Sequence, residues 1–569
     1  LSVLAYPLYR LFGYHGLLLL NALSFLAING LIFVLGRTLF DSRRIGGLGV
    51  LVYSLATFAW EYSHTSYPHL SSTLFIVAAY TLIALAFRAR QDGGTHRRTI
   101  LLSAGAGLVA GLAVGLRLDA VFAIPGLFVP LLFAKTILFA ELAALLAGLV
   151  PGFVFLSLSN AIKFGTYSPF SYGAPGEGYV GNLHVYLPIS LAGAAGVGLL
   201  LLWQRLPAEK RPILWKLGAA GGVLAVLVFH GAAWEFASRL AHGTYQIVVD
   251  LRIRDLHIKE PALSRTPSGT MVYLGSVKKS LLQSCPYLAI LPFLLIDTVR
   301  SRRKLRALAF LAVAPACYVL YYSYLAWHGS IALNMRYLNP VLPFTSLLCA
   351  YAWHRLTESG SADRVSQRLA GFYGLAVLVG LLVVFVLTRP ELPLQEMLFL
   401  DAPLILAAGI VALEAMRRLG WLPSLGRPAI AFLLLTAAAW SGAMALRDYP
   451  LSAAYRGANL YQADALRPHI EDHSLIVSDV VDSCWKLIDE VDDLLIASAA
   501  GGSARSLNGL IRFHLDQGRK VYLAYSPWRL QQHLAGGLST YFDLRQIDAW
   551  HFKYRPRVML FELSLKPSS

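Results

Sequence analysis

The sequence predicts an all-α polytopic transmembrane helical bundle followed by a small C-terminal α/β domain. Three observations carry that expectation. Hydrophobic residues make up 56% of the 569-residue chain and charged ones 14%, against about 25% charged in an ordinary soluble protein. Apolar runs recur along residues 1–449, too long and too frequent for soluble cores. Over residues 450–569 the pattern changes to short apolar strands alternating with amphipathic helices.

Spans are expected near residues 13–36, 46–60, 69–88, 100–116, 120–134, 136–158, 186–203 and 214–234, and again near 286–299, 307–326, 338–356, 370–388, 402–417 and 428–446. That is about fourteen, several of them shorter than the roughly 20 residues a perpendicular helix needs. The net charge of +17 comes from 49 Lys and Arg against 32 Asp and Glu. Its placement argues against a nucleic-acid partner. The basic residues fall in alternate loops, at Arg37, Arg43 and Arg44, at Arg88, Arg90, Arg97 and Arg98, and at Arg205, Lys210, Arg211 and Lys216. Arg300, Arg302, Arg303, Lys304 and Arg306 continue the series, as do Arg417, Arg418 and Arg427.

By the positive-inside rule these loops face the cytoplasm of a plasma or inner membrane, and the intervening ones face outward. Residues 1–11 and the C-terminal domain then lie on the outer side. The outer loops 159–185 and 235–285 are long, as expected where a cleft with chemistry sits between helices. A multispan chain more often starts inside, so a further span and a first outer loop are expected upstream of Leu1.

The four cysteines, Cys285, Cys317, Cys349 and Cys484, show no metal-ligand spacing and suggest no disulfide framework. No cofactor signature is present, and a divalent metal is left open. In the C-terminal region, residues 474–480, 493–499, 520–525 and 558–565 read as strands, with helices over 506–518 and 526–537. The alternation predicts a partly parallel sheet. A GGSARS turn at 501–506 has the composition of an anion-binding turn, but a plain connecting loop is the reading preferred for it.

Ionisable groups at membrane depth are costly, about 2.5–3.5 kcal/mol each on insertion scales, so those at helix ends are read first for function. The outer turn WEYSHTSYPH, residues 60–69, carries Glu61, His64 and His69 with no Lys or Arg. Its aromatics alone fit an interfacial belt; its acid and histidines fit the rim of an outward-facing site. In GLRLDA, residues 115–120, Arg117 and Asp119 occupy a minimal turn, either as a simple ion pair or as a phosphate-binding arginine held by its carboxylate. In NMRYLNPVLPF, residues 334–344, Arg336 and Tyr337 fit an anion-binding rim or an ordinary interfacial anchor.

Four stretches, in this order, carry a family resemblance: LAYPLYRLFG (4–13), AGLAVGLRLDAVFAIPGL (110–127), NAIKFGTYSPFSYG (160–173) and MRYLNPVLPF (335–344). Together they resemble the GT-C superfamily of membrane glycosyltransferases, particularly bacterial relatives of the protein O-mannosyltransferases (glycosyltransferase family 39 type), over roughly the first 350 residues. The resemblance implies transfer of a sugar from a polyprenyl-phosphate-linked donor to a protein, glycan or lipid acceptor on the outer face. It gives Arg117 and Arg336 the phosphate, Glu61, His64, Asp119 and Tyr337 the rim, and Lys163 and Tyr172 the acceptor side. It also places the catalytic acid in a first outer loop upstream of Leu1, so that acid is expected outside this chain, with inactivity of a truncated chain one consequence open at this point. A transporter or flippase for a lipid-linked or hydrophilic substrate is the rival expectation; it fits less well because no internal repeat is visible and the charges sit at outer helix ends. A structural membrane subunit, with its outer domain binding a partner, is a third.

Overall fold

The computed structural model of the protein describes residues 2–132 except 66, 139–169, 230–252, 263–294 except 274, residue 296, 305–357 except 328, 330 and 331, 391–421, 426–479, 484–499, 504–551 and 557–566. The chain divides into two units, one of Leu1–His257, Arg265–Met271 and Ser276–Arg447, the other of Ile258–Ser264, Val272–Gly275 and Asp448–Ser569. Seven helices among the described residues are long and apolar enough to cross a membrane: His15–Phe40, His69–Gln91, His96–Leu116, Phe139–Ile162, Leu305–Leu325, Leu392–Arg418 and Arg427–Ala454. The chain is a multispan integral membrane protein. Leu- and Ala-rich runs favour helix, and in lipid a helix satisfies every backbone group within its own segment.

Seven of the expected spans therefore coincide with such helices. Two, 186–203 and 370–388, lie outside the described residues, as does 214–234 except for its last five residues, which open the helix His230–Thr244. The other four fall, among the described residues, on shorter elements, and two of these, at 120–134 and 286–299, run into residues outside the described ones. Arg43–Leu55 has 13 residues, roughly 20 Å at the helical rise and short of the about 30 Å hydrocarbon core. Its start is capped by the Ser42 side chain, which accepts from the Ile45 amide at 3.3 Å. Ile124–Leu132 has nine residues and follows a tight helical turn over Leu118–Ala123. Pro286–Ile290 is a tight turn, and Leu342–Thr357 is a 16-residue helix entered through another such turn, Arg336–Val341. In each case the apolar run spends part of its length on a turn at the helix end. Those turns carry the polar residues described below.

Small residues set the closest helix contact. Gly107 and Gly111 of His96–Leu116 face Gly148 and Gly152 of Phe139–Phe164, the small-xxx-small pattern by which membrane helices approach backbone to backbone. A Cβ at Gly107 would lie 2.1 Å from the Leu145 carbonyl oxygen, and one at Gly152 would lie 2.3 Å from the Gly111 carbonyl carbon. Gly111→Val is therefore expected to lower the thermal midpoint of the detergent-solubilised protein, through an overpacking cost of about 1–3 kcal/mol. An unchanged midpoint would mean that the two helices part without penalty.

The second unit holds a five-stranded sheet, in the order Leu495–Ser498, Ser474–Ser478, Lys520–Tyr525, Val558–Leu565, Phe542–Trp550. The first three strands run parallel, and Val558–Leu565 pairs antiparallel with both of its neighbours. Alternation along the strands builds two cores. Leu475, Val477, Val521 and Leu523 pack with Ile511 on one face, while Ile476 and Tyr522 pack with Leu487 and Leu466 on the other. The sequence reading missed the edge strand Phe542–Trp550, whose alternation is interrupted by polar residues and by an irregularity between Gln546 and Asp548. Helix Ala504–Asp516 starts inside the GGSARS stretch, whose residues 501–503 lie outside the described residues.

This unit should weaken in acid. Burial, together with Arg529, pushes the His533 imidazole below its ordinary value, and burial does the same to His514 beside Arg519. For a group whose folded value is depressed, the stability is present above the unfolded value, about 6.5, and is lost as pH falls through the folded one. At lower pH Glu562 adds to the loss: burial opposes its ionisation, but Lys520 and Arg545 outweigh burial and hold its carboxyl below the usual range. Thermal unfolding between about pH 7.5 and about pH 5.5 should show a fall that His514→Gln/His533→Gln flattens. If the double variant keeps the full slope, the histidines are not its source.

Candidate functional site

Four helix ends of the first unit supply one polar cluster. His69 opens helix His69–Gln91, Arg117 follows the last residue of His96–Leu116, Tyr322 lies in the last turn of Leu305–Leu325, and Arg336 begins the turn that leads into Leu342–Thr357. The outer turn 60–69 is tied to the first long helix by Asn21. Its amide donates to the carbonyl of Tyr67 at 2.6 Å, and its oxygen accepts from the Ser71 amide at 3.2 Å.

Arg117 and Asp119 form a bidentate pair, Nε to Oδ1 at 2.9 Å and Nη2 to Oδ2 at 2.6 Å. Their side chains keep 12% and 8% of their exposure. Tyr322 donates its hydroxyl to Asp119 Oδ2 at 2.8 Å, and Arg117 Nη1 contacts the His69 ring. Burial works against the charged guanidinium, but the Asp119 carboxylate more than offsets it, so the Arg117 pKa is raised and the group stays cationic.

Arg117 also lies 5.1 Å from the centre of the Tyr337 ring. The second guanidinium reaches the same ring: Arg336 is 4.9 Å from it, donates Nη2 to the Tyr337 hydroxyl at 3.0 Å, and lies 5.6 Å from the Tyr67 ring. Both contacts are of cation–π type. Arg336 has no carboxylate partner among the described residues, and its Nε is buried without a hydrogen bond.

Glu61 is 2% exposed and accepts from Asn334 Nδ2 at 2.7 Å. Asn334 in turn accepts from Ser284 Oγ at 2.8 Å, and its carbonyl receives the Arg336 amide at 2.8 Å. His64 turns back to the Trp60 carbonyl at 3.3 Å. Thus Arg117, Asp119, Arg336 and Tyr337, with His69, form one cluster. Glu61 joins it through Asn334, and His64 occupies the same outer turn. Lys163 sits in the last turn of Phe139–Phe164, and Tyr172 lies outside the described residues.

Sequence reasoning overlooked Tyr322, Asn334, Lys278 and Lys279. The two lysines are 1% and 0% exposed. Lys278 donates Nζ to the Ala332 carbonyl, and the Lys279 amide bonds to the Leu333 carbonyl at 2.9 Å, beside the segment that carries Asn334 and Arg336. Adjacent lysines followed by an apolar run were the available signal. Among the described residues, no three His, Cys, Asp or Glu side chains come together as a metal site would require.

No family model matches the chain, and no curated protein matches it. Among solved structures, it is similar to ArnT from Cupriavidus metallidurans bound to undecaprenyl phosphate, at 15% identity over 98% of this chain and 86% of that one, with a TM-score of 0.45. The apo state of the same protein gives 15% identity, the same coverage and a TM-score of 0.41. The archaeal oligosaccharyltransferase AglB from Archaeoglobus fulgidus, in complex with an inhibitory peptide and a dolichol-phosphate, is 13% identical over 96% of this chain and 64% of its own length, with a TM-score of 0.46.

Proposed function

We propose that the chain is a membrane glycosyltransferase of GT-C type that moves a sugar from a polyprenyl-phosphate-linked donor to an acceptor hydroxyl on the outer face. One observation carries this reading above the others. Arg336 holds a guanidinium largely out of water, without a carboxylate, at a helix end lined by tyrosines. A buried unpaired charge is costly, by several kcal/mol per ion, unless an anion completes it. Lys278 and Lys279 add positive charge nearby, and Arg117 presents a second guanidinium to the same ring.

A polyprenyl carrier keeps its phosphate at the membrane–water boundary, where such helix ends lie. In the reaction the acceptor oxygen bonds to the anomeric carbon as the bond from that carbon to the phosphate oxygen breaks, and the electron pair leaves with the phosphate. The sugar passes through an oxocarbenium-like state. Arg336 stabilises the departing phosphate, a positioned cation acting on charge that grows in the transition state. Asp119 and Tyr322 fix Arg117, and Asn334 holds Glu61 at the rim of the cluster. A carboxylate at the site takes the proton of the acceptor hydroxyl.

The test is binding and transfer with the full chain in detergent. A polyprenyl phosphate should bind with an affinity that falls as salt rises, and membranes bearing polyprenyl-phosphate sugars should label an acceptor. Failure to bind any polyprenyl phosphate would overturn the proposal.

A further inference from the structure

The turn Arg336–Val341 carries a second polar side chain that no bond among the described residues satisfies. Asn339 is fully buried, and both polar atoms of its amide, Oδ1 and Nδ2, lack a hydrogen-bond partner. In a helical turn of this tight kind, side chains three positions apart eclipse one another, so Asn339 lies under Arg336, about 6 Å further in. The Arg336 Nε above it is buried and unpaired as well.

The neighbouring helix repeats the pattern at the same depth. The turn packs against Leu305–Leu325, where the Tyr322 ring lies 5.3 Å from the Tyr337 ring. Four residues earlier, and again about 6 Å further in, Tyr318 stacks on Tyr322 with ring centres 6.4 Å apart. Its hydroxyl is buried without a partner. The two depths match because the segments run in opposite directions, Tyr322 near the end of its helix and Arg336 at the start of its turn. An outer layer of Arg336 and Tyr322 thus covers an inner one of Asn339 and Tyr318. The outer layer is bonded within the protein, through Tyr337 and Asp119. The inner one is not.

Buried amides and hydroxyls nearly always find partners, and one left unpaired costs more than a made bond returns. The chemistry of these atoms selects what completes them. A phosphate offers acceptors alone, so it would pair Nδ2 and leave Oδ1 without a donor. A sugar hydroxyl both donates and accepts, and it can serve the amide oxygen, the amide nitrogen and the Tyr318 hydroxyl together.

We infer that Asn339 is a specificity residue of the candidate site, binding with Tyr318 the hydroxyl next to the anomeric carbon of the carrier-linked sugar. That hydroxyl is the one nearest the phosphate ester under Arg336, and the inference rests on the reading of Arg336 as the phosphate ligand. Hydrogen bonds to it strengthen as an oxocarbenium-like state develops, so the subsite serves rate as well as selection.

The test is equilibrium binding to the full chain in neutral detergent. Undecaprenyl phosphate is compared bare and bearing glucose, galactose or arabinose, and the tightest glycosylated form is then compared with its 2-deoxy counterpart. The hydroxylated carrier should bind about tenfold or more tightly than the deoxy one, roughly the worth of two hydrogen bonds. Asn339→Leu should bind the two alike. The free variant should melt no lower than the unmodified chain, because an apolar group of the same branched shape replaces an unpaired amide. Equal binding of the two carriers by the unmodified chain, or full preference in Asn339→Leu, overturns the inference; the proposed function then still stands on the bare carrier. Absence of any carrier binding overturns both. Should Asn339→Leu melt lower or not fold, Tyr318→Phe decides, since it removes one hydroxyl and adds no volume. A reduced preference there supports the subsite, and an unchanged one rules it out.

Discussion

Arg336→Gln should lower sugar transfer by about a hundredfold to a thousandfold, the usual loss when one donor to a developing oxyanion is removed, with little change in folding. Glutamine keeps an unbranched polar side chain but removes the charge and, being shorter, the Nη2 bond to the Tyr337 hydroxyl. Because Arg336 has no carboxylate partner among the described residues, the substitution leaves no acid stranded. That separates it from most buried-arginine changes, in which the partner's exposure to an apolar interior dominates the outcome. Arg336→Lys should fall between the two, since an ammonium retains the charge but not the planar fork that matches phosphate bidentately. The affinity for the bare polyprenyl phosphate should fall less than the transfer rate, because the phosphate gains charge as the glycosidic bond breaks. If Arg336→Gln transfers sugar at the unmodified rate, the cationic rim is an interfacial anchor and the proposed function loses its main support.

What was legible in the sequence follows from how locally each feature is encoded. The Arg117–Asp119 pair is two residues apart in a minimal turn, so its geometry is set by the turn itself. The seven long spans declare themselves by length and apolarity. Glu61 is visible as a lone acid at a helix end, but its partner Asn334 lies 273 residues further along, and no local pattern joins them. Tyr322 is hidden in the aromatic run 321–324, where only the packing of its helix against the turn at Asp119 selects it over its neighbours. Lys278 and Lys279 fall in a stretch of mixed character that reads as a solvated loop, and tertiary contact buries them. Where a described element is shorter than its apolar run, as Arg43–Leu55 is, the reason is that an apolar run shows where the chain avoids water, not where it turns.

Asp119→Asn should be the most damaging single change to stability, about 3–5 kcal/mol, the cost of breaking a buried pair from one side. The carboxylate offsets a guanidinium whose side chain retains 12% exposure, and it also accepts the Tyr322 hydroxyl. Asparagine offers one carbonyl oxygen where two carboxylate oxygens served three donors. Arg117 then remains charged in a site that no longer neutralises it, and the Tyr337 face and the His69 ring cannot replace a full negative charge. Arg117→Leu should cost as much for the mirror reason, since it strands Asp119. The double change Arg117→Leu/Asp119→Leu should cost much less than either single one plus the other, because replacing both members of a buried pair with apolar groups is often near neutral. Thermal unfolding of the unmodified chain, Arg117→Leu, Asp119→Leu and the double variant in one detergent measures the coupling directly as a double-mutant cycle. Additive losses would mean that the pair is effectively solvated and acts as a surface ion pair. Strong coupling would make it the fixed post against which Tyr337, and through it Arg336, is positioned.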